Sequence, residues 1–203
     1  MELPRIVVLV SGSGSNLQAI LDATGSGALA ARVVAVISNR REVRALSRAA
    51  EAGVPSQVAS LKPFRDAGLP RESYDAALAE TVAGYRPDLV VCAGWMHVLS
   101  PAFLDRFPGR VLNLHPALPG ELPGTDAIRR AWEEGQAGLR VRTGVMVHHV
   151  VPEVDAGPTV AVAEVPLIPG DPLEGLQGRV HAVEHVLLVG AIRDVLEGLC
   201  GRS

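Results

Sequence analysis

Four short apolar runs constrain what this chain can fold into more than any other feature. They lie at residues 5–10 (RIVVLV), 33–37 (VVAVI), 89–92 (LVVC) and 111–115 (VLNLH). The first three are β-branched or apolar almost throughout, the pattern of strands buried on both faces of a parallel sheet. Stretches with helical spacing lie between them. One covers residues 16–21, one covers 42–52 and is stopped by Gly53 and Pro55, and one covers 71–85 with Ala76, Ala77 and Val82 on one side. Residues 101–106 have room for one helical turn. From Val141 onward the pattern changes. Residues 145–147 and 159–162 are strand-like and joined by a short connection, which suggests an antiparallel pair added to the parallel sheet. Residues 172–199 hold a long helix, with Val180, Val183, Leu187, Leu188 and Ile192 along one stripe.

A chain of 203 residues makes one good-sized domain, or at most two small ones. Its 48% apolar and 20% charged residues are ordinary for a soluble globular protein. The net charge of −3 offers no basic field to a nucleic acid. The first apolar run is too short to span a bilayer and no small-residue cleavage site accompanies it, so neither a membrane span nor export is expected. Cys92 and Cys200 are far apart, and Cys92 sits in an apolar run as a reduced core residue. These features describe a cytoplasmic protein without a disulfide framework.

The fourth run carries chemistry. Successive strand side chains point to opposite faces, so Asn113 and His115 project from the same one. Pro116 ends the ladder because it has no N–H to donate. An amide donor and an imidazole thus stand together at a strand's carboxyl end, where open α/β sheets bind ligands. The first run leads into SGSGS at residues 11–15 and then into a helix. A glycine loop before a helix offers backbone N–H groups to an anion. Leu17 stands where the dinucleotide fingerprint needs its third glycine, and the Gly-Lys-Ser/Thr of a P-loop is absent, so the loop suits a single phosphate. No acid closes the second run at Ser38 and Asn39, which argues against NAD.

Other segments supply candidates with plainer alternatives. Residues 93–97 (AGWMH) form a turn at a strand's carboxyl edge, although a Trp-Met pair also suits a core. Pro116, Pro119, Gly120, Pro123 and Gly124 mark an irregular loop of the kind that carries function. Thr125 is the expected N-cap of a helix through Trp132. Asp155 lies in the connection between the last two strands, where a turn role is the simple reading. His181, Glu184 and His185 match the H-x-x-E-H zinc pattern, with the two histidines at i and i+4. No third ligand stands near in sequence, and no metal is expected.

Together these segments resemble the phosphoribosylglycinamide formyltransferase family. The resemblance rests on SGSGSNLQAI at residues 11–20, AGWM at 93–96, LSP at 99–101, NLHP at 113–116, and residues 144–158 ending in DAGP. It runs over nearly the whole chain. It implies a Rossmann-like, three-layer α/β domain with a mostly parallel seven-stranded sheet. It also implies transfer of a formyl group from 10-formyltetrahydrofolate to the amine of 5′-phosphoribosylglycinamide in purine biosynthesis. By the same resemblance Asn113, His115 and Asp155 are the catalytic trio. Gly14, Ser15 and Asn16 hold the substrate phosphate, and Gly94, Met96, Pro116 and Glu184 complete the substrate site. Arg71, His97, Val98, Leu99, Val151, Glu153, Val154 and Asp155 line the folate site, with Arg71 placed to face the folate's glutamate tail. One domain is implied over residues 1–203, with phosphate and substrate binding in about 1–110 and catalysis and folate binding in about 111–203. The partners expected are small molecules alone, with the protein a monomer or homodimer.

The chain departs from the family pattern at His97, where arginine is common, at Leu118, Pro119 and Gly120, where Leu-Leu-Pro is usual, and at His149 and Pro152. None of these touches the trio. Amine attack on a formamide builds an oxyanion and an ammonium, while the folate nitrogen must gain a proton to leave. Donors at the oxyanion and a group titrating near neutrality answer both needs. Asp155 beside His115 would raise the imidazole pKa. A methionyl-tRNA formyltransferase would carry a further C-terminal domain and a basic surface, whereas this chain stops at Ser203 and is acidic. A formyltetrahydrofolate hydrolase would carry an N-terminal regulatory domain, whereas the first strand here begins at Arg5. A folate- or nucleotide-binding module without catalysis would have no need of the trio.

Overall fold

The computed structural model describes residues 2–200, with only the backbone described at Cys200. In chain order the elements are β1 (Arg5–Val10), α1 (Ser15–Gly25), β2 (Arg32–Ser38), α2 (Arg44–Glu51), β3 (Ser56–Val58), α3 (Lys62–Asp66) and α4 (Arg71–Gly84). They continue with β4 (Leu89–Cys92), α5 (Pro101–Leu104), β5 (Val111–His115), α6 (Ala127–Gln136), β6 (Arg142–His149), β7 (Thr159–Pro166) and α7 (Leu173–Cys200). The seven strands form one sheet in the order β3-β2-β1-β4-β5-β6-β7. Pairing is parallel from β3 to β5, and β6 and β7 add as antiparallel strands.

Alternation along the buried strands divides the core in two. Ile6, Val8 and Val10 face a layer that includes Leu17 of α1 and Val180, Leu188 and Ile192 of α7. Val7 and Leu9 face the opposite layer, with Tyr74, Leu78 and Val82 of α4 and Phe103 of α5. A sheet covered by helices on both faces explains why the central strands are apolar on almost every residue. Cys92 is a free thiol in this core, and burial pushes its pKa up to about 12.

Strand order reverses between β1 and β4, and ligands collect at such a switch point. The carboxyl ends of β1, β4 and β5 open there side by side. The loop after β1 is tied to the turn after β4, because the Met96 N–H donates to the Ser11 hydroxyl at 2.9 Å.

Two details differ from sequence expectation. The helix after the proline-rich loop is not capped by Thr125. It starts at Ala127, and Asp126 occupies the cap position with φ 57° and makes no side-chain cap hydrogen bond. The chain turns there through the left-handed region, which carries the cap side chain away from the helix end. The polar strand β3 and the short helix α3 have no apolar pattern of their own, and no reading of periodicity finds them.

Candidate active site

Asn113 and His115 leave β5 on one face, and Asp155 comes to meet both. The Asn113 amide donates to Asp155 Oδ1 at 3.3 Å. His115 Nδ1 lies 3.4 Å from Asp155 Oδ2. Asp155 is held from behind by the Gly124 N–H, which donates to Oδ2 at 2.8 Å. Asp155 reaches this position through a backbone φ of 52°, a conformation that a short polar side chain tolerates better than most. Three residues spread over 42 positions of sequence therefore converge.

A fourth residue joins them. The antiparallel register sets His148 of β6 opposite Asn113. His148 Nδ1 donates to the His149 carbonyl at 2.9 Å, and its Nε2 meets the Asn113 amide nitrogen at 3.1 Å. His148 Nε2 is also 3.6 Å from Asp155 Oδ1. Reading β5 and β6 separately misses His148, and only their register could have found it.

The buried His115 ring is pinned at its other end. Nε2 donates to the Leu122 carbonyl at 3.0 Å. A carbonyl only accepts, so Nε2 carries the proton, and in the neutral ring Nδ1 presents a lone pair toward Asp155. Burial lowers the His115 pKa below the usual histidine value. Asp155 and the Leu122 carbonyl oppose that shift, and His148 and Arg130 add to it. Asp155 thus acts in the expected sense, but desolvation outweighs it. For Asp155, burial acts to raise the pKa, yet His148, the Gly124 N–H and His115 together hold it below the usual carboxylate range.

These residues sit in a cleft of about 860 Å³ at the sheet's carboxyl edge. Gly94, Met96, His97, Val98, Leu99, Asn113, His115 and Pro116 line it, and so do Val151, Glu153, Val154 and Asp155 of the β6–β7 connection. Cys92, Trp95, His148 and Val150 line it as well. Arg71 does not line the cleft but braces its wall. Its guanidinium donates to the Val98 carbonyl and to Asp75 Oδ1, the latter at 3.0 Å, and lies 5.3 Å from the Tyr74 ring centroid. His97 meets the Asn39 amide at 3.0 Å and stands edge-on to Trp95 and Tyr74. Burial, then the nearby Arg71 charge, lower its pKa.

Gly14, Ser15, Asn16 and Glu184 lie outside the cleft's lining, at the other side of the β1 loop. Gly14 has φ 72°, and a Cβ there would fall 2.7 Å from Ala45 Cβ, so glycine alone fits this approach of the loop to α2. No side chain caps α1 at this end. Buried Glu184 accepts from the Asn16 amide at 3.1 Å and from His181 Nδ1 at 2.8 Å. The His181 imidazole is thereby engaged with Glu184. Among the described residues no group of three or more histidine, cysteine, aspartate or glutamate side chains is arranged to hold a metal ion.

Comparisons with known proteins show the family. A family model described as formyl transferase matches residues 4–192. The chain is 48% identical over 199 residues to the phosphoribosylglycinamide formyltransferase of Schizosaccharomyces pombe, covering 94% of this chain and 96% of that protein. It is 41% identical over 183 residues to the Escherichia coli protein of the same name, covering 90% and 82%. The crystal structure of glycinamide ribonucleotide transformylase 1 from Symbiobacterium toebii matches with a TM-score of 0.90 at 42% identity, covering 97% of this chain and 89% of that one.

Proposed function

The chain belongs to the formyl transferase family, and on that footing we propose how its cleft moves a formyl group. The enzyme transfers it from 10-formyltetrahydrofolate to the amine of 5′-phosphoribosylglycinamide, a step of purine biosynthesis. The observation that carries the reading is the meeting of Asn113, His115 and Asp155 in the lining of the cleft.

Neutral His115 turns an Nδ1 lone pair toward Asp155, in the lining of the cleft. As the amine attacks the formyl carbon, His115 takes up the proton that nitrogen must shed, directly or through a water. Asp155 stabilises the imidazolium so formed, and the Nδ1–H then returns the proton to the departing folate nitrogen. Asn113 donates to the oxyanion between these two transfers. The contacts of 3.3 and 3.4 Å that Asn113 and His115 make to Asp155 are long for hydrogen bonds. The Asn113 amide, and His115 Nδ1 once it is protonated, are free to tighten onto charge when it develops. One well-aimed donor is worth about 3 kcal/mol of barrier. Donors and a proton carrier meet every need of this reaction, so activity should survive exhaustive EDTA treatment.

The apolar cleft has the size of a folate-type ligand site. In this reading His97, Val98, Leu99, Val151, Glu153, Val154 and Asp155 hold the folate, with Arg71 at its glutamate tail, and Gly94, Met96 and Pro116 lie beside the substrate amine. Gly14, Ser15 and Asn16 receive the phosphate on the first turn of α1, where N–H groups and the helix dipole favour an anion. Glu184, held by Asn16 and His181, contacts the same substrate. The N-terminal half to about residue 110 then serves chiefly the phosphate and the C-terminal half chiefly the chemistry. Cytoplasmic residence fits the free buried thiol of Cys92. No helix among the described residues is long and apolar enough to cross a membrane.

The direct test is the initial rate of folate product formation by purified protein. Turnover should require both substrates and stop when the amine is left out. Steady folate turnover without amine would mean a hydrolase instead.

A further inference from the structure

We infer that Arg130 is a positioning residue that fixes the Asp155 carboxylate through a single peptide unit of the loop between them. The inference rests on the proposed role of Asp155 in formyl transfer. Asn113, His115 and His148 reach Asp155 at 3.3, 3.4 and 3.6 Å, all long for hydrogen bonds. The short contact is the Gly124 N–H, which donates to Oδ2 at 2.8 Å. A backbone N–H on a carboxylate makes a charge-assisted bond, shorter and stronger than a neutral one. The place of Gly124 therefore decides where the carboxylate stands.

Gly124 has little of its own to hold it. Pro123 and Gly124 are exposed. The loop passes through the left-handed region at Leu122, Gly124 and Asp126, with φ of 46°, 82° and 57°. Its apolar anchor is a small cluster of Leu122 with Ala117, Ala127 and Ala131, apart from the two cores on the sheet. Arg130 supplies what is missing. It stands in the first turn of α6, where its N–H donates to the Asp126 carbonyl at 3.0 Å. Its Nη2 donates to the Pro123 carbonyl at 2.7 Å and to the Leu122 carbonyl at 2.8 Å. The Pro123 carbonyl and the Gly124 N–H belong to one peptide unit, which is planar and trans, so they point to opposite sides. A guanidinium that grips the carbonyl aims the N–H at Asp155. The cation also polarises the peptide and strengthens its N–H as a donor. Guanidinium, peptide and carboxylate thus make one chain of hydrogen bonds from α6 to Asp155.

The test combines kinetics with NMR of the Gly124 amide in the full-length protein. In wild type a scalar coupling across the hydrogen bond should link the Gly124 nitrogen to the Asp155 carboxylate carbon, and the amide proton should exchange slowly for an exposed loop. Absence of both in wild type would overturn the inference without any variant. In R130M the coupling should vanish and the amide should exchange about tenfold faster or more. The kcat should drop by about 10²-fold, the scale of a misplaced catalytic group, with KM for both substrates within about twofold. R130K, whose ammonium can still hold the Pro123 carbonyl, should recover much of the kcat and the slow amide. If R130M does not fold, R130A is read in the same way. A wild-type Gly124 amide, or a kcat within about twofold of wild type, in folded R130M or R130A would overturn the inference. D155N serves as the control for the underlying reading. Full activity in D155N would remove Asp155 from the mechanism, whereas the Gly124 amide in R130M would still report whether Arg130 holds the peptide.

Discussion

At the scale of the residue, Asp155 concentrates the account. It touches Asn113, His115 and the Gly124 N–H, and stands 3.6 Å from His148. Asp155→Asn keeps its size and removes its charge. The kcat should fall by about 10³-fold or more while KM changes little, as for a group that acts only in the transition state. The acid limb of kcat/KM reports protonation of His115, since the lone pair is needed. That limb should move to lower pH in the mutant, because the carboxylate that raised the imidazole pKa is gone. A pH–rate profile with near-normal kcat and an unmoved limb would return Asp155 to the role of a turn residue. The trio was legible because strand alternation pairs Asn113 with His115 and because Asp155 stands in a segment that resembles the family. His148 was not, since its meeting with Asn113 depends on register. Leu122 acts through a carbonyl, which every residue owns, so no side-chain pattern announces it.

At the scale of the element, two connections hold the cleft in shape. The first is α4 against the turn after β4. Asp75 of α4 is fully buried, and accepts from Arg71 Nε and from the Ser100 N–H, each at 3.0 Å. Asp75→Ala leaves a backbone donor unpaired and frees Arg71 from the wall, which should destabilise the fold by about 1–3 kcal/mol. In the folded fraction the KM for the folate should rise while that for the phosphorylated amine stays near wild type. Equal changes in both would detach α4 from folate binding. The second is the β6–β7 connection. A Cβ at Gly157 would lie 1.7 Å from the His149 carbonyl oxygen, and backbone cannot yield cheaply. Gly157→Ala should push residues 155–157 away from β6 and lower kcat together with Tm. An unchanged kcat would mean that Asp155 keeps its place without that close approach. The bounds of β1, β2, α2, α4, β4 and α7 could be read from sequence to within a residue or two, whereas α1, β6 and β7 run three or four residues beyond their apolar patterns. The loop of residues 116–126 could not, because its course is set by contacts of its backbone to Asp155 and His115.

At the scale of the whole molecule, burial of histidines gives stability a pH dependence. His97, His115 and His149 all titrate below the usual value, chiefly because burial disfavours the charged ring. The unfolded chain therefore binds protons at these positions at higher pH than the folded chain does. Their contribution is complete above about pH 6.5 and is lost as pH falls below it. His181, raised by its hydrogen bond to Glu184, works in the opposite sense, adding stability below that pH and losing it as pH rises through its folded value. Three groups against one predict a lower Tm at about pH 5.5 than at about pH 7.5. A flat or inverted profile would show that His181 dominates. The measurement that bears most directly on the whole account follows the formyl carbon itself. Carbon-13-labelled 10-formyltetrahydrofolate is mixed with 5′-phosphoribosylglycinamide and the purified protein, and the label is traced by NMR. The label should appear as a formamide on the glycinamide nitrogen with wild type, and should stay on the folate over the same time with Asp155→Asn. Label released as free formate, or transferred equally fast by the mutant, would contradict it.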